Sequence, residues 1–355
     1  MSHFTENLGH FANGMIVMFF VLASIHLYRH RNKNSLMKFF FWTMACFAFI
    51  ELINAIYLID YFFENSYVSN ITATTDMWSI PLTAAFMFEI LSPGWIRWRR
   101  ILLMMLPTVS LTFLYIFFPY DILAYISIAY GYLLGTVTVI IVFMASSKYD
   151  NYIKKNFSYT ENLSLYWLRW IIAPLYLALF IWTLVTWNQN WQNEAFYYFF
   201  LTAIWMFIYF RTVKHVVVEV PDLLNPFIKE EEKEEEATAS ERNKSNNYSL
   251  FAQKLEKCVE KEKLYLNPQL TIMELANCIG TNRTYLSDYL HKQLNTNFYE
   301  YINTFRIKEA CSILVSDNFE NLESLAETCG FNSLSTFRRA FIKETGKTPL
   351  QYREK

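Results

Sequence analysis

The C-terminal third of this chain contains one pattern of apolar residues and glycine that occurs twice. One extra residue follows the glycine in the second copy. A duplication of this kind predicts two copies of one small supersecondary unit, packed side by side. The shared positions, in the same order, are Leu275-Ala276, Gly280, Leu286, Leu290 and Tyr301 in the first copy, and Leu325-Ala326, Gly330, Phe337, Phe341 and Tyr352 in the second.

Each copy predicts two short helices joined by a glycine turn, because its apolar positions recur at helical period. In the first copy the supporting helix contains Leu270 to Ala276, and the second helix runs from about Asn282 to Lys292. In the second copy the supporting helix contains Leu322 to Ala326, and the second helix runs from about Ser333 to Lys343. One longer helix, containing Tyr301 to Leu314, connects the copies. This pattern is typical of paired helix-turn-helix units.

Further runs of residues extend this pattern to a family resemblance. The runs are Tyr301-Ile302-Asn303, Arg306-Ile307, Ala310, Gly330-Phe331-Asn332, Thr336-Phe337-Arg338-Arg339 and Gly346-Lys347-Thr348-Pro349-Leu350-Gln351-Tyr352-Arg353. Together they closely resemble the DNA-binding domain of AraC/XylS transcription regulators, over roughly Asn267 to Arg353. The resemblance implies a seven-helix module that binds double-stranded promoter DNA, with two recognition helices in successive major grooves about 34 Å apart.

The residues that read DNA bases are predicted from the helical wheel, because side chains that point away from the buried positions must face the groove. Arginine pairs bidentately with guanine, whereas the Asp288 carboxylate is repelled by phosphate unless it accepts a hydrogen bond from a cytosine amine. We therefore expect the stronger reading surface in the second unit. The DNA-binding residues predicted are Arg283, Thr284, Ser287 and Asp288 in the first unit, and Leu334, Ser335, Arg338, Arg339 and Lys343 in the second.

The rest of the chain is too apolar for an ordinary soluble DNA-binding protein. The chain is 54% hydrophobic, with 32 Phe, 24 Tyr and 10 Trp, and the excess lies before Val218. Seven stretches are long enough to cross a hydrocarbon layer of about 30 Å, although Pro81 interrupts the third. The stretches are Phe11 to Tyr28, Phe39 to Phe62, Met77 to Leu91, Ile101 to Phe118, Ile122 to Ser146, Tyr166 to Trp187 and Phe196 to Phe210.

The basic residues of the loops predict an orientation for these spans, because cytoplasmic loops are enriched in Lys and Arg. The intervening loops and the first ten residues carry no Lys or Arg. We therefore expect a multi-pass protein of the inner, cytoplasmic membrane of a bacterium, with the N terminus outside and the DNA-binding domain in the cytoplasm. The first apolar run lacks the features of a cleavable signal peptide, so we expect it to be retained. The basic loop residues are Arg29, Arg31, Lys33, Lys38, Arg97, Arg99, Arg100, Lys148, Lys154, Lys155, Arg211 and Lys214.

An acidic segment separates the apolar part from the duplicated part. Residues 229–236 are Lys and Glu alone, and residues 237–247 are rich in Ser, Asn and Ala, so the segment cannot bury a core. A disordered linker and a short solvated helix are both consistent with this composition. The predicted architecture is all-α: a seven-helix transmembrane bundle (1–218), an acidic cytoplasmic linker (219–247) and a double helix-turn-helix domain (248–355).

Ionisable residues inside the spans suggest a signal site, because a buried charge there is costly and needs a partner or a cavity. Glu51 lies near the middle of a span, and Glu89 lies within another. Glu89, His26 and Asp76 lie near predicted span ends, where a polar side chain is less costly. We expect Glu51, with Glu89, to form an intramembrane signal site; a satisfied hydrogen bond between helices is the alternative for Glu51.

Catalytic and cofactor sites find no support in the sequence. The five Cys show no close metal-type pairing and the six His are scattered, so we expect no catalytic residues, no metal and no cofactor. Cys278 and Cys329 occupy equivalent turns, where small buried residues fit; a redox switch is the alternative. No phosphate-binding or dinucleotide-binding glycine motif is present. We expect that the protein is not an enzyme.

The sequence predicts a membrane-tethered regulator of transcription that couples a membrane or extracytoplasmic signal to promoter binding. Its predicted partners are double-stranded DNA, the lipid bilayer, an unidentified small-molecule or membrane signal and, through dimerisation, a second copy of the chain. Two alternatives stay open. The spans could form a transporter or a membrane enzyme with DNA binding as a second activity, or they could serve as a passive anchor.

Overall fold

The computed structural model describes residues 2–57, 65–188, 190–221, 223–224, 244–316 and 321–353. The chain divides into two compact units, one formed by Met1–Lys148 with Leu165–Leu224, and the other by Tyr149–Ser164 with Asn225–Lys355. The described regular structure is helical throughout, apart from one isolated bridge between Phe157 and Thr271. The all-α prediction is therefore confirmed for the described residues. Most of the predicted acidic linker, residues 225–243, lies outside them.

The first unit is built from apolar helices. Those helices that are long and apolar enough to cross a membrane, by length and composition alone, number six in the described part of the chain. The described helices of this unit are α1 (Ser2–His30), α2 (Ser35–Tyr57), α3 (Ser66–Asp76), α4 (Ser79–Leu91), α5 (Trp98–Phe117), α6 (Asp121–Asn156), α7 (Tyr166–Asn188) and α8 (Trp191–Lys214), with α6 continuing into the second unit. Helices α3 and α4 are not among the six.

The third predicted span, Met77 to Leu91, contains one short helix, α4, and a second short helix, α3, precedes it. Asn65 caps the start of α3 by accepting hydrogen bonds from the backbone N–H groups of residues 67 and 68. Trp78 then separates α3 from α4, and Pro81 lies in the first turn of α4, where its missing N–H group is not needed. The 13 residues of α4 extend only about 20 Å. A seventh complete span therefore stays a prediction.

The helices of the first unit pack through large aromatic side chains. Helix α1 packs against α2 and α8, α7 packs against α8, and α2 packs against α4. Phe20 from α1, Phe47 from α2 and Trp205 from α8 are buried and form edge-on ring contacts with one another. These rings form one wall of a cavity that also contacts the polar residues described below.

The second compact unit of the chain contains both helix-turn-helix units, and each of them has its own apolar core. Leu286 and Leu290 belong to the first core, and Phe337 and Phe341 belong to the second. The long helix α12 packs against helices of both helix-turn-helix units, as the sequence predicts. The remaining helices are α9 (Lys244–Glu256), α10 (Ile272–Ile279), α11 (Arg283–Lys292), α12 (Phe298–Ser316), α13 (Leu322–Thr328), α14 (Leu334–Thr345) and α15 (Pro349–Arg353).

Local sequence explains why the two units start and turn where they do. Thr271 and Glu274 form a reciprocal capping box at the start of α10. Gly280 and Gly330 adopt φ of 78° and 82°, a left-handed conformation that favours glycine. A Cβ atom on Gly330 would lie 2.7 Å from the backbone oxygen of Leu266, so this glycine also permits a close approach of two backbones.

Candidate DNA-binding interface

Helices α11 and α14 are the recognition helices that the sequence predicts. Asn282 caps α11 by accepting a hydrogen bond from the backbone N–H of Tyr285, and Ser333 caps α14 through the N–H of Thr336. The caps fix where each helix begins and therefore which side chains point outward. On α11, Thr284 is exposed, and on α14 the exposed predicted residues are Ser335, Arg338, Arg339 and Lys343.

The residues predicted to read DNA bases in the first helix-turn-helix unit form contacts within the protein. Arg283 is half-buried, and its guanidinium carbon lies 5.3 Å from the centre of the Tyr152 ring. Asp288 is exposed and forms an ion pair with Lys292 at 3.2 Å, which balances the carboxylate charge that would otherwise repel phosphate. Ser287 is half-buried.

The residues predicted to read DNA in the second helix-turn-helix unit differ from one another in their surroundings. Leu334 is half-buried and packs against the second core, so less of this side chain is available to DNA than the helical wheel suggests. Lys343 forms an ion pair with Glu300. Arg339 donates a hydrogen bond to Thr336 at 3.3 Å. Arg338 and Arg339 form no ion pair with the acidic residues that the structure describes, so their charges stay available to an external anion.

A buried arginine connects several backbone segments behind these helices. The Arg306 guanidinium donates to the carbonyl oxygens of Tyr265 (2.7 Å), Asn267 (2.7 Å) and Ser158 (2.8 Å). Burial lowers the pKa of Arg306 to about 10, which leaves it charged at neutral pH. Because one rigid cation binds three carbonyl groups, it fixes the start of the first helix-turn-helix unit relative to α12.

Residues 149–164 pack on the duplicated domain, a contact that the sequence analysis did not predict. The backbone N–H of Ser158 donates to the carbonyl of Leu270 at 3.1 Å, and the Ser158 hydroxyl accepts from Arg306 at 3.0 Å. Glu161 accepts a hydrogen bond at 3.4 Å from the hydroxyl of Ser333, the cap of α14. With Tyr152 beside Arg283 at the start of α11, this segment contacts the first turn of both recognition helices.

Cys278, in the turn of the first helix-turn-helix unit, differs from the expectation of a small buried residue. Cys278 is exposed, and its sulfur forms a disulfide with Cys258. The pairing was not visible in the spacing, since the two residues lie 20 positions apart. Cys329, at the equivalent turn of the second unit, is buried as expected, and burial raises the pKa of its thiol. The glycine turns are thus equivalent in backbone shape but not in side-chain chemistry.

The two glutamates of the predicted intramembrane site have different surroundings. Glu89 is fully buried, and its carboxylate accepts from the backbone N–H groups of Gly94 and Ile96, which fixes the turn after α4. Glu51 instead accepts from the Asn54 amide at 3.3 Å, and Asn54 also donates to Asp76 at 2.7 Å. The structure does not bring Glu51 and Glu89 into one hydrogen-bonded group among the described residues.

Comparison with known proteins identifies the C-terminal domain. Residues 275–355 match the family described as a helix-turn-helix domain. The chain is 37% identical over 89 residues to the uncharacterized HTH-type transcriptional regulator YobQ of Bacillus subtilis, which covers 25% of this chain and 36% of that protein. It is 30% identical over 109 residues to the uncharacterized HTH-type transcriptional regulator SACOL0084 of Staphylococcus aureus, covering 31% of this chain and 14% of that protein.

Solved structures show a likeness over the same region. The C-terminal domain of the two-component response regulator yesN from Fusobacterium nucleatum is 28% identical, with a TM-score of 0.26, and the match covers 31% of this chain and 99% of that one. The chain spans about a third or less of the length of the curated relatives named above. The family match and the two curated relatives confirm the resemblance for the helix-turn-helix domain.

Proposed function

We propose that this chain is a membrane-tethered regulator of transcription that reads a two-part DNA site. The observation that carries the proposal is the pair of capped recognition helices, each with a buried apolar face and a polar face turned outward. The relatives that match this domain are named as transcriptional regulators. Two such helices connected by the rigid helix α12 suit two successive major grooves on one side of a duplex.

We assign the reading of DNA bases mainly to the second helix-turn-helix unit. Arg338 and Arg339 are exposed on α14, and arginine is the side chain that most often pairs with guanine in the major groove. Thr284 and Ser335 provide hydroxyl groups for less selective contacts. Lys343 must exchange its ion pair with Glu300 for a phosphate, so we assign it to backbone contact and not to base reading.

Attachment to the bilayer is supported by the apolar surface of the first unit. Leu103 and Phe117 on α5 are 77% and 73% exposed, and Phe143 on α6 is also exposed. Apolar side chains at such density on long helices are costly in water and are stable against lipid tails. In the proposed orientation, the basic residues that end α6 and α8 lie on the cytoplasmic side, together with the DNA-binding domain.

Coupling between the signal and DNA is assigned to residues 149–164. In sequence, this segment connects two of the helices that could cross the membrane, and it packs on the domain that reads DNA. Its contacts reach the first turns of both recognition helices, which is the part that approaches the bases. A rearrangement of the spans that pulls on this segment would change how the two helices are presented to DNA.

Selection of binding sites from a random double-stranded DNA library tests DNA reading. The full chain in lipid nanodiscs should enrich two half-sites about one helical turn apart. Arg339→Ala should weaken binding by about 5-fold to 150-fold and relax one base position, which corresponds to ~1–3 kcal/mol. Lys254→Ala removes an exposed cation from α9 and serves as the matched control. A wild-type chain that enriches no motif would refute the proposal.

A second experiment tests coupling separately from DNA reading. Glu161→Gln weakens the contact with the Ser333 cap, and Asn151→Ala changes an exposed residue of the same segment as the control. We expect Glu161→Gln to change the affinity of the full chain for its selected site, while Asn151→Ala leaves the affinity unchanged. Equal affinities for wild type and Glu161→Gln would leave the spans as a passive anchor and reject the coupling route.

A further inference from the structure

The compact unit of apolar helices contains a buried group of acidic and amide side chains that the proposed DNA-binding function does not use. Glu51 and Asn54 on α2 and Glu194 on α8 are 7%, 6% and 9% exposed. Asp76, at the end of α3, accepts hydrogen bonds from the amide of Asn54 at 2.7 Å and from the indole N–H of Trp182 at 2.9 Å. The break between α3 and α4 directly follows Asp76, and this places the carboxylate among the other helices.

A cavity of about 120 Å³ lies beside this group. Glu51 and Asp76 form its polar wall, and aromatic rings that include Phe47, Trp182 and Trp205 line much of the remainder. A smaller void of about 30 Å³ shares Asp76 and Trp182 with the cavity, and Glu194 lines it as well. Among the described residues that line either space, none is Lys, Arg or His.

One hydrogen-bond acceptor of this site, Asn54 Oδ1, has no donor among the described residues. The Asn54 amide nitrogen faces two carboxylates, so its oxygen, Oδ1, points away from them. That oxygen is buried and has no hydrogen-bond partner among the described residues, while Asn54 lines the smaller void. A buried acceptor without a donor is costly, and so are adjacent buried carboxyl groups without a positively charged partner. The site is therefore complementary to a group that brings N–H donors and positive charge.

We propose that this cavity binds a small organic cation with an ammonium group. The ammonium end lies at the acidic wall of the larger cavity, where it donates hydrogen bonds to Asp76 and Glu51. The carbon part lies in the larger space against Phe47 and Trp205, where apolar surface favours a hydrocarbon group. Three acidic side chains and aromatic walls together select against neutral and anionic compounds.

Size and wall chemistry narrow the ligand class further. The volume of about 120 Å³ is somewhat below the ~150 Å³ of a cavity that admits benzene, which corresponds to a ligand of about six non-hydrogen atoms. A hard metal ion such as Ca²⁺ takes about six to eight oxygen ligands, whereas carbon atoms line most of this cavity. The geometry therefore favours an alkyl or small aryl amine over a metal ion. An amino headgroup of a phospholipid carries the same chemistry as a free amine.

The direct test uses the full chain in nanodiscs of phosphatidylglycerol, which has no amine, with n-pentylamine as the probe. Binding is followed by the intrinsic tryptophan fluorescence of the chain, to which Trp182 and Trp205 contribute, and by the midpoint of thermal unfolding. We expect saturable binding of pentylamine and no saturable binding of 1-pentanol, which has the same length without the charge. Glu51→Gln should weaken pentylamine binding at least tenfold, whereas Glu219→Gln, at an exposed site, should leave it unchanged.

Each outcome decides the proposal. Because Glu51→Gln replaces a buried carboxyl group with an amide of nearly the same shape, the thermal midpoint of the unliganded variant shows whether it remains folded. Phe47→Leu gives a second variant that should weaken binding while leaving every charge in place. Absence of pentylamine binding, equal binding of 1-pentanol, or displacement of pentylamine by Ca²⁺ or Na⁺ alone would overturn the proposal.

Two further arms identify the source of the ligand and separate this site from DNA reading. If nanodiscs that contain phosphatidylethanolamine block pentylamine binding, the headgroup is the ligand; if they do not, a free amine is. Binding is measured without DNA, so its failure leaves the proposed DNA reading intact, and a failed DNA selection leaves the amine site intact. A change in DNA affinity on adding pentylamine would make the amine the signal, a conclusion that rests on the proposed function.

Discussion

The two turn glycines allow a comparison in which one backbone conformation is tested with and without a steric neighbour. Gly280 and Gly330 have φ of 78° and 82°, so replacing either with alanine places a side chain in the left-handed region. That strain costs about 1–2 kcal/mol. Reduced freedom of the unfolded chain offsets about 0.4–1 kcal/mol of the cost. Gly280→Ala meets nothing else, since no atom lies within 4 Å of the new methyl group.

Gly330→Ala meets a second obstacle. Its methyl group would lie 2.7 Å from the Leu266 carbonyl oxygen and 2.8 Å from that of Tyr265. Arg306 binds the same Tyr265 carbonyl, so the backbone cannot withdraw without stretching that hydrogen bond. Overpacking of this kind adds about 1–3 kcal/mol. We expect a net destabilisation of about 1 kcal/mol for Gly280→Ala and about 2–4 kcal/mol for Gly330→Ala.

Native-state hydrogen exchange of the full chain in nanodiscs measures both values. In peptides that cover α13 and α14, Gly330→Ala should increase exchange by roughly 30-fold to 700-fold, at about 1.4 kcal/mol for each tenfold. In peptides that cover α10 and α11, Gly280→Ala should increase exchange by about fivefold. Equal increases for the two variants, or the larger one for Gly280→Ala, would refute the argument from close approach.

Three further predictions concern the C-terminal unit in the same preparation. Arg306→Met leaves three carbonyl oxygens without their donor, including that of Ser158, and should destabilise the unit by about 3–5 kcal/mol in urea unfolding. The hydrogen bond from Lys263 lowers the pKa of Glu309 below its ordinary 4.5. The ionised carboxylate therefore stabilises the fold above that pH, and this stability is lost as the pH falls through the lowered pKa. Glu309→Gln should be less stable than wild type at pH 7, and the two should be equally stable in acid. Reductant should lower wild-type stability by about 3 kcal/mol and leave Cys258→Ala unchanged, as thermal unfolding would show.

The recognition helices show how far local sequence reaches. The predicted boundaries of α11 and α14 agree with the structure to within about two residues. The agreement follows because Asn282, Gly280, Ser333 and Gly330 act on their own turns, through capping bonds and left-handed backbone. Whether a polar side chain on these helices is available to DNA depended on partners elsewhere in the chain, as Lys343 and Glu300 illustrate.

The unit of apolar helices shows the opposite limit. Asp76 lies near the end of a predicted span, where a solvated carboxylate is the expected interpretation. The structure instead places Asp76 beside Asn54 and Trp182, residues 22 and 106 positions away. Hydrophobic length identifies a helix but carries no information about which of its faces meets another helix. Glu194 was missed for the same reason, although its place in the first turn of an apolar helix was a usable signal.

By itself, the sequence determined the all-helical class, the long apolar helices and the duplicated helix-turn-helix units. Each of these follows from residues within about one or two turns of one another, where periodicity, caps and glycine conformation act. Only the tertiary structure decided that residues 149–164 pack on the helix-turn-helix domain, and that Glu51 and Asp76 line a cavity with Glu194 in the adjoining void. The contact between Ser158 and Arg306 joins residues 148 positions apart. Contacts at such separation arise when whole helices pack, and no local pattern in a single sequence records which helices do so.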